Sequence, residues 1–261
     1  MRVRNWWGLL LCIVVLFGAV ACSGGGVAPN GMTGAEILEM SQTASVNTAQ
    51  FSATIEASAM GQAMTMYMTG AADDMNREMY MTTTAPEIYD EVMQMYVVDD
   101  WIYMTDSNSD WIKTELTDDI WEEQNPTSQQ MGLIEGFFDA KYLGMETIGG
   151  SNCYKIAIDP NWDALLSAAD MSEPGGPSNE EMIDMIKDSS CTAWVAENTY
   201  FPMQIFFSMT LEMDILGQKY SVTTDMTMTF SNINQPVTIT LPAAAKNATE
   251  ISYEDFMSGD Y

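Results

Sequence analysis

The stretch FPMQIFFSMTLEMDILGQKYSVTTDMTMTF, residues 201–230, decides the fold. Taken in steps of two, Met203, Ile205, Phe207, Met209, Leu211, Met213 and Ile215 fall on one side. Gln204, Ser208, Thr210, Glu212 and Asp214 fall on the other, interrupted by Phe206. After Gly217-Gln218 the alternation resumes as Tyr220, Val222, Thr224, Met226, Met228 and Phe230 against Ser221, Thr223, Asp225, Thr227 and Thr229. Successive strand side chains point to opposite faces, so strict alternation marks a β-strand with one buried and one wet face. Two such strands about a short turn make a long antiparallel hairpin. Its apolar face leans on methionine.

Working outward, the same period recurs upstream. Phe51–Met60 alternates around Phe51, Ala53, Ile55, Ala57 and Ala59. Met64, Met66 and Met68 then oppose Thr65, Tyr67 and Thr69. Ala71-Ala-Asp-Asp74 reads as a turn, and Met75–Thr83 places Met79 and Met81 on one face. Glu91–Val98, a tight turn at Asp99-Asp100, Trp101–Thr105 and Trp111–Leu116 continue the meander. Strands return at Tyr142–Ile148, Cys153–Ile158, Thr192–Glu197 and Gln235–Leu241.

Three stretches carry helical spacing instead. Thr33-Gly-Ala-Glu36 is a capping box, which opens an amphipathic helix with Ile37, Met40 and Ala44 on its apolar stripe. Residues 118–139 hold Ile120, Trp121, Met131, Leu133, Ile134, Phe137 and Phe138 at helical intervals, broken at Pro126. Residues 160–190 form an insertion: a short piece around Trp162, Leu165, Leu166 and Ala169, a hinge Pro174-Gly-Gly-Pro177, and a helix capped by Ser178-Asn-Glu-Glu181. The expected class is α+β, with a long curved antiparallel sheet of about ten strands in hairpin order. Its apolar face needs a cover, which the N-terminal helix and the inserted helices supply.

The N-terminus reads as a leader. Met1-Arg-Val-Arg4, an apolar run from Trp6 to Phe17, and Gly18-Ala-Val-Ala21 before Cys22 have the layout of a secretory signal over residues 1–21. A cysteine directly after Ala21 resembles a lipobox, so Cys22 is the expected lipid-attachment residue. Residues 22–32, with Gly24-Gly25-Gly26, form a flexible tether to a domain over residues 33–251, and residues 252–261 form an acidic tail. Cys12 leaves with the leader, and Cys153 and Cys191 remain as an even pair in an exported chain, which predicts a disulfide at the base of the 160–190 flap.

Composition excludes several classes. The chain of 261 residues has 37 Asp+Glu against 9 Lys+Arg, a net charge of −28, and losing Arg2 and Arg4 with the leader takes this to −30. Such a surface repels phosphate backbones, so no nucleic-acid partner is expected. With no histidine, the usual general base, the Ser-His-Asp and Cys-His systems and imidazole metal sites are all missing. No enzyme activity, cofactor or metal is expected.

The order of parts resembles the LolA/LolB and LppX/LprG group of lipoproteins. The residues that carry the likeness are Ala35-Glu-Ile-Leu38, Phe51-Ser-Ala-Thr-Ile55, Cys153-Tyr-Lys-Ile156, Trp194-Val-Ala-Glu-Asn-Thr-Tyr-Phe-Pro202, Val237-Thr-Ile-Thr-Leu-Pro242 and Ala244-Ala-Lys-Asn-Ala-Thr-Glu-Ile251. The resemblance implies an unclosed β-barrel whose concave apolar interior holds acyl chains, used to carry or present lipids or lipoproteins. It carries over no catalytic residue.

The methionines admit three readings: plain core packing, an adaptable groove for lipid, and Cu(I) capture by soft thioethers. Missing histidine and the lack of Met-x-x-Met clusters in loops weigh against copper. On the groove reading the ligand-lining residues are Met64, Met66, Met68, Met79, Met81, Met203, Ile205, Phe207, Met209, Met226 and Met228. Asp106-Ser-Asn-Ser-Asp110 has the start of a calcium loop but Trp111 where glycine is needed and Thr117 where glutamate is needed, so a hairpin turn accounts for it better. The function these residues point to is an extracytoplasmic lipoprotein, anchored to the cell membrane by N-terminal diacylglycerol, that binds a lipid or other apolar ligand. The alternative is a structural or protein-interaction envelope lipoprotein with a solid core.

Overall fold

The computed structural model describes residues 26–59, 61–87, 92–105, 109–117, 120, 138–160, 162, 178–215 and 218–258. Its elements are mostly strands: β1 (Thr48–Ala59), β2 (Gln62–Asp73), β3 (Glu78–Thr84), β4 (Met93–Val98), β5 (Trp101–Thr105), β6 (Trp111–Glu115), β7 (Phe138–Ile148), β8 (Ser151–Pro160), β9 (Ile186–Ala196), β10 (Pro202–Ile215), β11 (Gln218–Ser231) and β12 (Thr249–Glu250). Among the described residues, helices with both ends given are α1 (Gly34–Thr43), α2 (Asn179–Met185) and α3 (Tyr253–Ser258), with a 3-10 turn at Ala244–Asn247. Hydrogen bonding orders 12 strands in one unclosed sheet, β12-β6-β5-β4-β3-β2-β1-β11-β10-β9-β8-β7. Neighbouring hairpin strands pair antiparallel, whereas β12 lies parallel to β6.

The chain groups into two compact units, one of residues up to Ala44 with Asp118–Met185 and Cys191–Tyr200, the other of Ser45–Thr117, Ile186–Ser190 and Phe201–Tyr261. In the first, α1 packs on β7 and β8. The Thr33 capping box forms as expected: the Thr33 amide donates to Glu36 Oε2 at 2.7 Å, and the Glu36 amide donates to Thr33 Oγ1 at 3.3 Å. The Thr33 amide, and after it the Thr33 hydroxyl donating to the same oxygen at 2.9 Å, hold the Glu36 carboxyl below its ordinary range. Ile37, Leu38, Tyr154, Ile156 and Val195 are at most 2% exposed and form the core. Gly34 is demanded by close approach, because a Cβ there would lie 2.7 Å from the Tyr142 amide nitrogen.

In the second unit, β1, β2, β3, β4, β5, β6, β10 and β11 keep their pairing register throughout. The hairpin turn at Asp99-Asp100 has φ of 53° and 60°, the left-handed pair that matches the twist of flanking strands. One face is a threonine ladder, with Thr69 and Thr82 hydroxyls 2.8 Å apart and those of Thr210 and Thr223 3.2 Å apart. On that same face Tyr80 stacks on Tyr96 at 6.0 Å, and Lys113 Nζ sits 3.8 Å above the Trp101 ring.

Several expectations need correction. Cys153 and Cys191 are free thiols, not a disulfide. Cys153 pairs across β8–β9 with Ala196, and Cys191 pairs with Ile158. Five strand positions, about 16 Å, therefore separate them along the ladder, and the odd offset places them on opposite faces, beyond any disulfide geometry. The 160–190 insertion is shorter than expected, since β9 begins at Ile186. The turn placed at Ala71–Asp74 comes later, because β2 runs to Asp73, whose carboxylate accepts from the Asn76 amide at 3.1 Å and side chain at 2.8 Å. Gln235–Leu241 is not a strand, and Pro236 inside it has no N–H to give a ladder. The tail carries α3, capped where the Asp255 amide donates to Ser252 Oγ at 3.1 Å.

Of the helical stretch expected over residues 118–139, Phe138 and Asp139 instead open β7, and residues 121–137 lie outside the described residues. So do the piece around Leu165, the hinge Pro174–Pro177, the leader, Cys22, the loop Asp106–Asn108 and the turn residue Gly217. Of the expected helical cover, α1 buries its apolar side on β7 and β8, whereas α2 has no fully buried residue.

Candidate functional site

Strand pairing gathers the methionines. One row of directly paired residues runs Ile112, Met104, Met95, Met81, Gly70, Phe51, Phe230. The next runs Met93, Thr83, Met68, Ala53, Met228, Ile205. Two more follow: Met66, Ile55, Met226, Phe207, and then Met64, Ala57, Thr224, Met209. Residues that pair, and residues two apart on one strand, share a face. Every expected ligand-lining residue in these rows therefore stands on one side of the β1–β6, β10 and β11 ladder. Met79 joins through its pairing with Val97, and Met203 lies two before Ile205.

The local sequence explains the smoothness of that face. Gly70 sits opposite Phe51, and a Cβ on it would come within 2.4 Å of the Phe51 ring. The phenylalanine thus lies over the bare backbone of its neighbour, filling the gap that glycine leaves. Ala53 and Ala57 between the Met rows leave similar room for longer side chains.

Burial grades across the face. Ile205, Phe207, Met226 and Met228 are 3–6% exposed. Met64, Met66, Met68, Met79, Met81, Met203 and Met209 around them are only half-buried. An unbranched thioether with three rotatable bonds adapts to irregular partners, so this border can accept apolar groups of varied shape. Among the described residues of these rows there is no histidine, cysteine, aspartate or glutamate.

A concavity of about 320 Å³ opens at the β11–β1–β2 end of the ladder. Most of its lining comes from the other face: Glu56, Ser58, Ala63, Thr65, Thr223 and Asp225, with Ala57 and Met64 at its border. Glu56 and Asp225 stand directly opposite each other there. Like charges in that position are destabilising. Among the described residues no group of three or more His, Cys, Asp or Glu could hold a metal ion.

Sequence reading missed a polar cluster on β7–β9. Trp194 Nε1 donates to Glu146 Oε2 at 2.9 Å, and Lys155 Nζ reaches the same oxygen at 3.1 Å. The tryptophan hydrogen bond first, then Lys155, holds the Glu146 carboxyl below its ordinary range. Each residue comes from a different strand, so no local spacing could reveal the trio. Among the described residues no helix is long and apolar enough to cross a membrane.

The family of unknown function DUF6612 matches residues 152–250. No curated protein matches the sequence. The lipoprotein LppX of Mycobacterium tuberculosis is similar at 14% identity and a TM-score of 0.44, over 78% of this chain and 97% of its own. LprF of Mycobacterium bovis is similar at 14% identity and a TM-score of 0.45, over 84% of this chain and 100% of its own. A LolA-superfamily protein of Nitrosomonas europaea is similar at 11% identity and a TM-score of 0.26, over 80% and 96%. Members of the LolA and LppX group, the likeness expected from the sequence, are thus among the solved structures to which the chain is similar.

Proposed function

We propose that this protein is an extracytoplasmic lipoprotein, anchored through Cys22, whose methionine-rich sheet face binds a lipid or another apolar ligand. The reading rests on one observation above others. Pairing register brings Met64, Met66, Met68, Met79, Met81, Met203 and Met209, all half-buried, around the buried centre of Ile205, Phe207, Met226 and Met228. A face of that kind offers dispersion contacts and adaptable shape, and nothing for chemistry. Binding without catalysis is what it suits. The anchor rests on the sequence before Cys22 and on the Gly24-Gly25-Gly26 run after it.

A second reading has its own support. Ile205, Phe207, Met226 and Met228 are already buried, and the 320 Å³ concavity opens mostly on the face opposite the methionine rows. A solid-core lipoprotein that works through protein contacts fits both facts. One experiment separates the readings. Delipidated protein is titrated with an apolar fluorescent dye and with long-chain phospholipid, and gently purified protein is examined for lipid by mass spectrometry. Saturable uptake with co-purifying lipid is expected. Absence of both would leave the solid-core reading in its place.

A further inference from the structure

The N-terminal residues of the first unit are fastened to the sheet. Gly26 forms an isolated antiparallel bridge to Tyr142 on β7. Ala28 is 4% exposed, and Asn30 Nδ2 donates to the Tyr154 hydroxyl at 3.0 Å. Gly34 then presses against the backbone of Ala140, Lys141 and Tyr142. The chain from Gly26 onward is therefore part of the folded body.

β7 ends the strand order, and among the described residues the one backbone bridge beyond it, apart from its pairing with β8, is that of Gly26. An exposed edge is commonly protected by charge or by a bulge. Here the register shifts between Tyr142 and Gly144, which leaves Leu143 without a partner on β8. A bulge re-aims the side chain it carries. Leu143 is 56% exposed, Met145 is 40% exposed, and Val27, next to the bridge, is 58% exposed. Three large apolar side chains thus project within three residues of a single bridge. Lys141 stands beside them at 48% side-chain exposure, 3.8 Å from Asp139.

The length of chain before this point selects the occupant. Cys22 and Gly26 are four Cα steps apart, so at full extension they are about 14 Å apart. An acyl anchor on Cys22 would hold the β7 edge within the depth of the headgroup layer. We propose that this edge, with Val27, Leu143 and Met145 as its apolar contacts, docks on the surface of the bilayer that holds the anchor. The inference rests on the lipoprotein reading, and it adds an orientation that a long flexible tether would not impose. It also explains why an apolar edge is tolerated in a chain with a net charge of −28. Apolar insertion supplies the contact that so anionic a surface cannot draw from anionic headgroups.

The test uses the lipidated full-length protein in phosphatidylcholine–phosphatidylglycerol vesicles that carry doxyl-labelled phosphatidylcholine. An environment-sensitive fluorophore is attached at Leu143→Cys, at Val27→Cys in a second variant outside the sheet, and at Asn152→Cys as an exposed control near the far end of β7–β8. Cys153 and Cys191, at 0% and 7% exposure, do not compete for label in the native state. Quenching several-fold stronger at positions 143 and 27 than at 152 is expected. Equal or absent quenching in protein that floats with the vesicles would overturn the docking and leave the anchor standing. Self-quenching between labels at position 143 without lipid quenching would assign the edge to a second copy instead. Protein that fails to float would overturn the anchor and this inference together.

Discussion

Two apolar surfaces in this protein are built differently. The core under α1 uses Ile37, Leu38, Tyr154, Ile156 and Val195, each at most 2% exposed. The face of β1–β6, β10 and β11 uses methionine, and most of its methionines remain half-buried. Branched and aromatic side chains have few rotamers and specify one packing, whereas methionine conforms to whatever it meets. Where one arrangement must be fixed, the chain chose stiff residues. Where methionine gathers instead, the surface can conform to differently shaped neighbours, as the proposed ligand binding requires.

The largest break in this comparison comes from truncation. Ile156→Ala should destabilise by about 3 kcal/mol, because a closed site leaves a cavity that cannot collapse. Met66→Ala, at a half-buried position, should cost about 1 kcal/mol and weaken uptake of an apolar dye several-fold. Urea unfolding measures both. Equal costs would mean that the methionine face is as tightly packed as the α1 core, and the distinction would collapse.

A smaller effect concerns the thiols within the stiff region. Burial pushes the Cys191 thiol up to about 12 and raises that of Cys153 as well. Native protein should therefore react with a thiol reagent only through unfolding, and denatured, unreduced protein should titrate as two free thiols from these positions. For Cys191 the folded value exceeds the ordinary 9.0, so its contribution to stability is complete below pH 9 and falls as pH rises from 9 toward 12. Rapid native modification at neutral pH, or a blocked pair in denaturant, would contradict the closed ladder.

Much of this was legible in sequence because β-alternation is local. The 201–230 hairpin, the Met64–Met68 strand, the Asp99-Asp100 turn and both capping boxes depend on neighbours within a few residues, and all of them appear. The placement of the ligand-lining methionines on one face followed from that same period, while their role as ligand contacts is a matter for binding experiments. Errors arose where distant partners decide. Gln235–Leu241 alternates but lacks a ladder partner. The cysteines obey the exported-pair rule, yet the β8–β9 register parts them. No spacing could announce that Gly26, in a glycine run that reads as tether, would bridge Tyr142. Nor could it announce the meeting of Glu146, Lys155 and Trp194.

That last trio gives the smallest expected effect and the sharpest test of the stiff region's outer face. Trp194 and Lys155 both favour the Glu146 carboxylate, so its folded value lies below 4.5. A lowered carboxyl contributes stability above its unfolded value and loses it as pH falls through the folded one. Glu146→Gln should keep the hydrogen bond from the indole while removing the charge. The stability gap between the parent protein and Glu146→Gln should therefore be constant above about pH 5 and close as pH falls below 4.5. Tryptophan emission should follow the same course in the parent and stay flat in the variant. A gap that persists unchanged to pH 3 would mean that the carboxylate does nothing for the fold, and that the β7–β9 ladder is held by its apolar side alone.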